Sequence, residues 1–502
     1  MVYDIIIIGS GIGGLYTAHN LINTTNLLIL EKKNRIAGRI KTIKNKDLTY
    51  DVGAGRISSN HNSVLKLIQK FNLKHKLVDI GNHNKKEMRE IIKILSSHSK
   101  KKQQTTTVHN LIKSTVSNNF YKNYGFYNNI KNQSGESFIN YAKNNYGKTF
   151  YILKGGLEQI TNNLYIQLKK NIRYGITVKK ISYTDNIFTI SNGSNEIFKC
   201  KILILAIPKE EIIKLSYFKE NKHIHNILKS VSHNNPYIRV FLQFPKINNK
   251  YWFHDLGVNI HNTKLIRYFI PIDYKKGLIQ LYSDNIIAKR NLKLLLDNEA
   301  YTKILIKELQ KIYKDKNIPE PIFREQYYWK NGTHFWLPHK LSVNKRYNIV
   351  LQPNKEEKLF ICGESYSKHQ AWMEGALKTS EKVISKIVPL VSLKNGGNFI
   401  QNRKKLKQSI KRTKIKTKKY KKISQKQLKN HDRFNKKKWI AIRRKKKIYV
   451  YDVTKWLNNH PGGSAILLKY AGTDATKNFM AIGHSEYATK IMEKFKIGFL
   501  QE

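Results

Sequence analysis

The sequence predicts an α/β fold over residues 1 to about 390, followed by a separate small domain. Three observations carry this reading. Residues 1–390 alternate short apolar runs with helical patterns. A glycine-rich turn joins the first apolar run to the first helix. Trp, Pro and Gly punctuation returns after about residue 423, beyond an acid-free basic stretch. The chain has 502 residues and is 40% hydrophobic, enough to bury a core, so disorder throughout is excluded. Its two cysteines exclude a disulfide-dense secreted scaffold and fit a reducing compartment. No run approaches the ~20 consecutive apolar residues of a membrane span. The opening MVYDIIIIGSG enters an apolar strand without the charged start and cleavage site of a signal peptide. The expectation is a soluble, cytoplasmic protein with no membrane span.

Residues 2–8 (VYDIIII) form a near-continuous apolar run, as a buried parallel strand requires. Gly9-x-Gly11-x-x-Gly14 follows at once and leads into LYTAHNLI, a helical pattern. Glycines there permit a tight turn and let backbone N–H groups approach a pyrophosphate at the helix N-terminus. A second apolar run, LLILE, ends in Glu31, 20 residues after Gly11. A carboxylate at that place accepts hydrogen bonds from a ribose diol. Strand, glycines, helix, strand and acid in register predict a dinucleotide site, without choosing between NAD and FAD.

The residues after Glu31 do choose. They read KKNRIAGRIKT, with Gly38, Arg39 and Thr42, and then Asp51-x-Gly53-Ala54. In this pattern the chain resembles the flavin-containing amine oxidoreductase family, with Ala37 replacing the first glycine of the family's Gly-Gly-Arg. ILKGGLEQI, ITVKKI, ILILAIP and LFICGESYSKHQAWMEGALKTSEKV agree with the family in the same order. The resemblance covers about residues 1–390. It implies an FAD-binding Rossmann-type α/β domain built from about 1–60, 151–215 and 346–390. Interleaved with it is an α+β substrate domain from about 61–150 and 216–345. FAD contacts are implied at Gly9, Gly11, Gly14 and Glu31, then at Gly38, Arg39 and Gly53. A strand at Val178 is implied to touch adenine. Gly363 and Glu364 would meet the pyrophosphate and ribityl region, and the helix start at Trp372, Glu374 and Ala376 the flavin ring. FAD is expected to be non-covalent. Thr333 stands where some members carry the linking cysteine, and Cys200 and Cys362 lie elsewhere.

The resemblance also places substrate between two aromatic walls facing the flavin. Trp372 is one. The other falls in YYWKNGTHFW, where Trp329 and Gly332 anchor the register and His334 stands where many members have Tyr. Many members set a Lys on a strand to hold a water at the flavin. Here that strand reads YIRVFLQF, and Arg239 takes the place. Arginine keeps its proton at working pH and does not serve as a base. It is suited instead to orienting water or binding a substrate carboxylate bidentately. Arg239, His334 and Trp372 are the expected catalytic residues.

The chain carries 93 basic and 34 acidic residues, net +59. Residues 1–390 hold 63 basic and 28 acidic ones, and residues 391–502 hold 30 and 6. A polycationic amine approaching so basic a body is disfavoured at long range, subject to salt. Residues 391–422 have no acid and a dense basic run, the composition of a flexible linker. Nucleic acid or another anionic surface is the alternative partner such a run offers. The stretch SSHSKKKQQTTT at 96–107 reads as a polar surface loop.

Residues 423–502 contain KKWIAIRRKKKIYVYDVTKWLNNHPGGSAILLKYAGTDATKNFMAIGHS. This resembles cytochrome b5, a small α+β domain, across its length. His460-Pro461-Gly462-Gly463 and Gly483-His484-Ser485 place two histidines 24 residues apart. The resemblance implies haem b with His460 and His484 as axial iron ligands, walled by Trp456, Leu467, Phe479 and Ile482. With both axial positions filled, such an iron transfers electrons rather than activating oxygen. Residues 448–502 hold 5 acids against 6 bases, so the acidic docking edge of ordinary cytochrome b5 is missing. A tether replaces such steering with an effective concentration of ~mM.

The expected function is oxidation of a small-molecule amine, or another hydride donor, by hydride transfer to flavin. Electrons then pass one at a time to the haem, and an external acceptor, or oxygen at the flavin, closes the cycle. A porphyrinogen or isoprenoid substrate, and electron flow from haem to flavin, are alternatives within the same architecture. A polyanion-binding protein acting through the basic linker is the alternative from another class.

Overall fold

The computed structural model describes residues 1–82, 86–116, 130–194, 196–233, 235–261, 263, 265–392, 421–444, 447–460, 463–482 and 492–501. The chain divides into two compact units, Met1–Asn395 and Gly396–Glu502.

The first unit is built on a seven-stranded sheet. Within it, β1 (Val2–Ile8) runs parallel to β2 (Leu27–Leu30) on one side and to β3 (Ile197–Leu205) on the other. Ile8 pairs with Leu30 and with Leu205, so the three strands end together beside the glycine turn. Ile5 and Ile7 enter one core with Leu15 of α1 (Ile12–Leu21), while Ile6 and Ile8 enter a second with Phe188 and Trp336. Coverage of both faces is why the sequence shows an unbroken isoleucine run. Each such side chain contributes roughly 1.5–3 kcal/mol of burial.

A five-stranded antiparallel sheet forms the other large layer. At its heart β4 (Tyr237–Gln243) lies between β6 (Leu278–Asp284) and β7 (Phe323–Trp329), with β5 (Tyr268–Asp273) beyond β6. Arg239 on β4 stands opposite Tyr282 and Tyr327. Two helices, α2 (Asn62–Lys70) and α3 (Gly135–Asn145), precede this sheet in the chain. Past it, β8 (Leu359–Ile361) returns to the first sheet, parallel to β3. The chain then enters α4 (Met373–Ser392), which packs on α1, Ser380 Oγ donating to the Gly13 carbonyl at 3.0 Å.

The second unit carries a four-stranded sheet in the order Lys421–Ile423, Lys496–Leu500, Lys447–Asp452, Trp439–Arg444. Ile440, Ile442, Tyr451 and Leu467 form its core beside the short helices Ser464–Lys469 and Thr476–Ala481. Among the described residues no helix is long and apolar enough to cross a membrane.

Three local expectations are corrected. Val178 is not on a strand: Ile176 N–H bonds the Glu31 carbonyl and Lys179 N–H the Ser191 carbonyl, so its flanks are tied to different strands. The polar stretch 96–107 holds a helix, Lys100–Thr105, because Ser99 caps it by accepting from Lys102 N–H. The expected linker is shorter than 391–422, since α4 runs to Ser392 and a strand begins at Lys421. Residues 393–420, with most of the basic run, lie outside the described residues.

Candidate active site

One cavity of about 730 Å³ is lined by residues of both sheets in the first unit. Its dinucleotide end is made by the turn after β1. A side chain at Gly14 would put Cβ 2.0 Å from the Gly9 carbonyl oxygen, so this glycine lets α1 lie against the strand. A Cβ on Gly11 would meet no protein atom within 4 Å, and Gly11 lines the cavity. The two positions divide the labour of the motif: one packs the helix, the other opens the backbone to a ligand.

Glu31 closes β2 beside this turn. Its Oε2 accepts from Ser10 N–H at 2.8 Å and Ser10 Oγ–H at 2.6 Å, and its Oε1 from Lys33 N–H at 2.9 Å. A carboxylate has about four acceptor sites, so one remains for a ribose hydroxyl. Gly9, Gly38, Arg39, Gly53, Val178 and Gly363 also line the cavity. Ala37, the departure from Gly-Gly-Arg, is buried at φ 74°, a left-handed conformation that costs an L residue roughly 1–2 kcal/mol.

Trp372 lines the cavity with Met373 and Ala376, at the start of α4. The indole stacks on Phe150 at 5.6 Å and takes the edge of His61 at 4.9 Å. Glu374, expected at the flavin ring, is elsewhere. Its carboxylate accepts from Ser63 N–H at 3.0 and 2.9 Å and from Val64 N–H at 3.1 Å. It caps α2, whose own N-cap residue, His61, makes no side-chain cap bond. The carboxylate is drawn to the unpaired N–H groups and positive end of that helix.

Glu364 borders the cavity but is already engaged by protein donors. Its Oε1 accepts from His334 N–H at 3.0 Å and Ala371 N–H at 2.7 Å. Its Oε2 takes Arg39 Nη1 at 2.9 Å and His334 Nδ1 at 2.7 Å. The implied ribityl contact therefore falls to neighbouring groups, and Glu364 acts by fixing Arg39 and His334. His334 is 2% exposed, and its Nε2 lies 3.1 Å from Glu210 Oε2. Burial opposes charge on all three groups. The ring beside the two carboxylates outweighs that opposition, and Arg39 adds to it at Glu364. Glu364 is held down at about 2, Glu210 below its ordinary range and His334 above its own. With both nitrogens taken, His334 is a clamped cation rather than the aromatic wall implied by resemblance. Aromatic surface on the sheet side comes from Tyr237 and Trp329, stacked at 6.1 Å.

Arg239 is 6% exposed and lines the cavity instead of reaching solvent. Its Nη1 donates to Gln280 Oε1 at 2.7 Å. Neither cysteine lines the cavity. Burial pushes the thiols of Cys200 and Cys362 up to about 12 and about 11.

In the second unit His460 is half-buried at the end of the turn Thr454–Asn459, and its Nδ1 lies 3.2 Å from the Gly463 carbonyl oxygen. Donation from Nδ1 puts the ring's lone pair on Nε2, the tautomer an axial ligand needs. Trp456, Leu467 and Phe479 pack in the core there, while Ile482 is 63% exposed. His484 lies outside the described residues.

Sequence reasoning missed Glu210, Gln280, Arg56 and Arg267. Gln280 had a signal, being polar inside the apolar strand LIQLY. Glu210 had none, since its partner is 124 residues away.

The sequence model described as flavin containing amine oxidoreductase matches residues 12–94 and 93–383. This chain belongs to the flavin-containing amine oxidoreductase family. The family implies FAD, and the Gly11 opening and Glu31 acceptor fit it. A cytochrome b5-like heme/steroid binding domain matches residues 424–501 of this oxidoreductase and implies haem b, which the His460 tautomer fits. Cytochrome b5 of Drosophila melanogaster is 48% identical over 68 residues, covering 14% of this chain and 48% of that one. Cytochrome b5 type B of Homo sapiens is 43% identical over 60 residues, covering 12% and 37%. The oxidoreductase thus spans under half the length of these curated relatives. A solved structure of a putrescine oxidase double mutant, from a redesign of cofactor binding, superposes with a TM-score of 0.62. It is 13% identical and covers 78% of this chain and 99% of that one, a likeness of fold.

Proposed function

We propose that the chain oxidises a carbon bearing an amine and delivers the electrons to haem in its own second unit. One observation carries this: a single cavity joins the cradle at Gly11 and Glu31 to a chamber walled by Trp372, Tyr237 and Arg239. FAD bound there supplies an acceptor for hydride, and haem b supplies one-electron steps beyond it.

The chain's residues hold and orient. Gly9, Gly11 and the start of α1 receive the pyrophosphate, with Gly14 setting the helix in place. Glu31 takes the ribose and the backbone at Val178 the adenine. Gly38, Arg39, Gly53 and Gly363 line the middle of the cofactor's path, and Ala376 the ring end. Trp372 on one side and Tyr237 with Trp329 on the other bracket the substrate and exclude water. His334 is a positioning residue that holds Glu364, and through it Arg39. Arg239 donates hydrogen bonds and takes no proton. The substrate carbon loses a hydride, which the flavin would accept, while the amine nitrogen gives up a proton to water and forms C=N. Water then breaks that bond, leaving a carbonyl compound and a free amine. His460 and His484 are the residues that would hold the haem iron, which would supply one-electron transfer to an external acceptor.

The test is the visible spectrum of the purified full chain under argon. Flavin and haem bands are expected, and one or more of a panel of primary and secondary amines bleaches the flavin band. A flavoprotein bleached by none of them contradicts the amine reading.

A further inference from the structure

The substrate half of the cavity is cationic, and its electrostatics point to a class of amine. Three guanidinium groups line it, those of Arg56, Arg239 and Arg267. Arg56 and Arg267 both lie over the Tyr268 ring, at 4.8 and 5.0 Å. Among the described residues, one carboxylate lines this half, Asp284. It is committed to Arg267, whose Nη1 it pairs with.

Arg239 is the group left over. It makes no ion pair among the described residues, and its buried Nε has no hydrogen-bond partner. Its Nη1 is bonded to a neutral amide, Gln280, with a long 3.5 Å contact to the Asp51 carbonyl. The Asp51 carboxyl is turned to Thr42 and Leu157 instead. The surroundings are built to admit the guanidinium: a Cβ on Gly55 would lie 2.6 Å from Nη1. The rings of Tyr282 and Tyr237 flank it at 5.2 and 5.5 Å. A guanidinium taken out of water without a carboxylate is costly unless an anion meets it. Arginine's planar fork matches a carboxylate in shape and charge.

We infer that the substrate is an amine that also bears a carboxylate, anchored by Arg239, rather than a diamine or polyamine. This rests on the reading of the cavity as an amine-oxidising flavin site and names its substrate class. Asp284 adds to the match. Its buried Oδ1 has no hydrogen-bond partner among the described residues and is an acceptor for the amine end. The carboxylate anchors and takes no part in bond making.

The test titrates the full-length holoenzyme with three ligands of one shape and different charge: benzoate, benzamide and benzamidine. Binding is read by calorimetry and by perturbation of the flavin spectrum. Benzoate is expected to bind at least about tenfold more tightly than benzamidine. Arg239→Gln is expected to weaken benzoate roughly 10- to 100-fold, the range for losing hydrogen bonds to a charged group, and to leave benzamide unchanged. Gly55→Ala keeps the arginine but displaces it, and is expected to weaken benzoate in the same direction. Benzamidine or putrescine binding more tightly than benzoate overturns the inference. So does an Arg239→Gln protein that binds benzoate normally but has a shifted flavin potential, because Arg239 would then serve the cofactor. A chain that purifies without flavin bands fails the flavin reading instead, and the calorimetric order of the three ligands still decides the charge of the cavity.

Discussion

Glu364→Gln removes the charge that organises the centre of the site while keeping its shape. Glu364 is 6% exposed and accepts four hydrogen bonds, from Ala371 N–H, Arg39 and both His334 N–H groups. A glutamine amide presents N–H where Oε2 now accepts from Arg39 and His334, so Arg39 loses its anion and His334 keeps only Glu210. Two charge-assisted bonds at ~1.5–3 kcal/mol each give ~3–6 kcal/mol, which overlaps the ~3–5 kcal/mol for breaking a buried pair. The lowered pKa gives a similar figure by another route. Glu364 is held at about 2 against an ordinary 4.5, and at ~1.4 kcal/mol per unit this is about 3–4 kcal/mol of stability. Because the folded value lies below the unfolded one, this contribution is complete above about pH 4.5 and fades as pH falls toward about 2. The assay is urea unfolding of the full chain followed by flavin fluorescence, which reports the first unit, between pH 4 and pH 7. The variant is expected to be less stable by about 3–5 kcal/mol at pH 7, with a smaller gap at pH 4. A variant within about 1 kcal/mol of wild type at pH 7, below the range for a broken buried pair, refutes the reasoning. So does a gap that does not narrow in acid.

Other outcomes follow from single positions. Gly11→Ala is expected to fold with an unchanged unfolding midpoint but to lose FAD, since its Cβ meets the cavity and not protein. Gly14→Ala is expected to fail at folding, because its Cβ lies 2.0 Å from the Gly9 oxygen; flavin content and thermal unfolding separate the two. Burial raises Asp51 to about 6 against Thr42 and Leu157, which lower it. Its ionisation therefore costs stability as pH rises through the window up to about 6, and Asp51→Asn is expected to gain on wild type over that window. Glu374→Gln is expected to cost roughly 1 kcal/mol through the weakened cap of α2 and to retain FAD; loss of FAD would return Glu374 to the cofactor site. His460→Ala is expected to abolish the haem bands while flavin absorbance persists, and a six-coordinate haem spectrum in that variant contradicts the ligand role.

The parts of this fold legible in the sequence are those whose chemistry is local in the chain. The isoleucine run of β1, the glycine turn and Glu31 all fall within the first thirty-one residues, so their pattern shows in one stretch of sequence. The His460 segment likewise carries its Gly463 acceptor three residues on. What escaped was set by distance along the chain. Glu374 sits in a motif whose neighbours line the cavity, yet it answers N–H groups 310 and 311 residues away. His334 aligns with a tyrosine wall, but two carboxylates 30 and 124 residues away make it a cation. Arg239 was recognised as a departure, and its meaning came only with Gly55, Gln280 and Arg267 around it. The resemblance puts Val178 on a strand, whereas its flanks bond to different strands.

The central claim is that one chain carries electrons from substrate to flavin to haem. Anaerobic stopped-flow mixing of the full chain with an amine that bleaches its flavin tests this most directly, with both bands followed at several protein concentrations. Haem reduction is expected to follow flavin reduction with a rate constant independent of protein concentration, as transfer within one chain requires. Haem that stays oxidised after the flavin is bleached, or is reduced at a rate rising with protein concentration, contradicts the account.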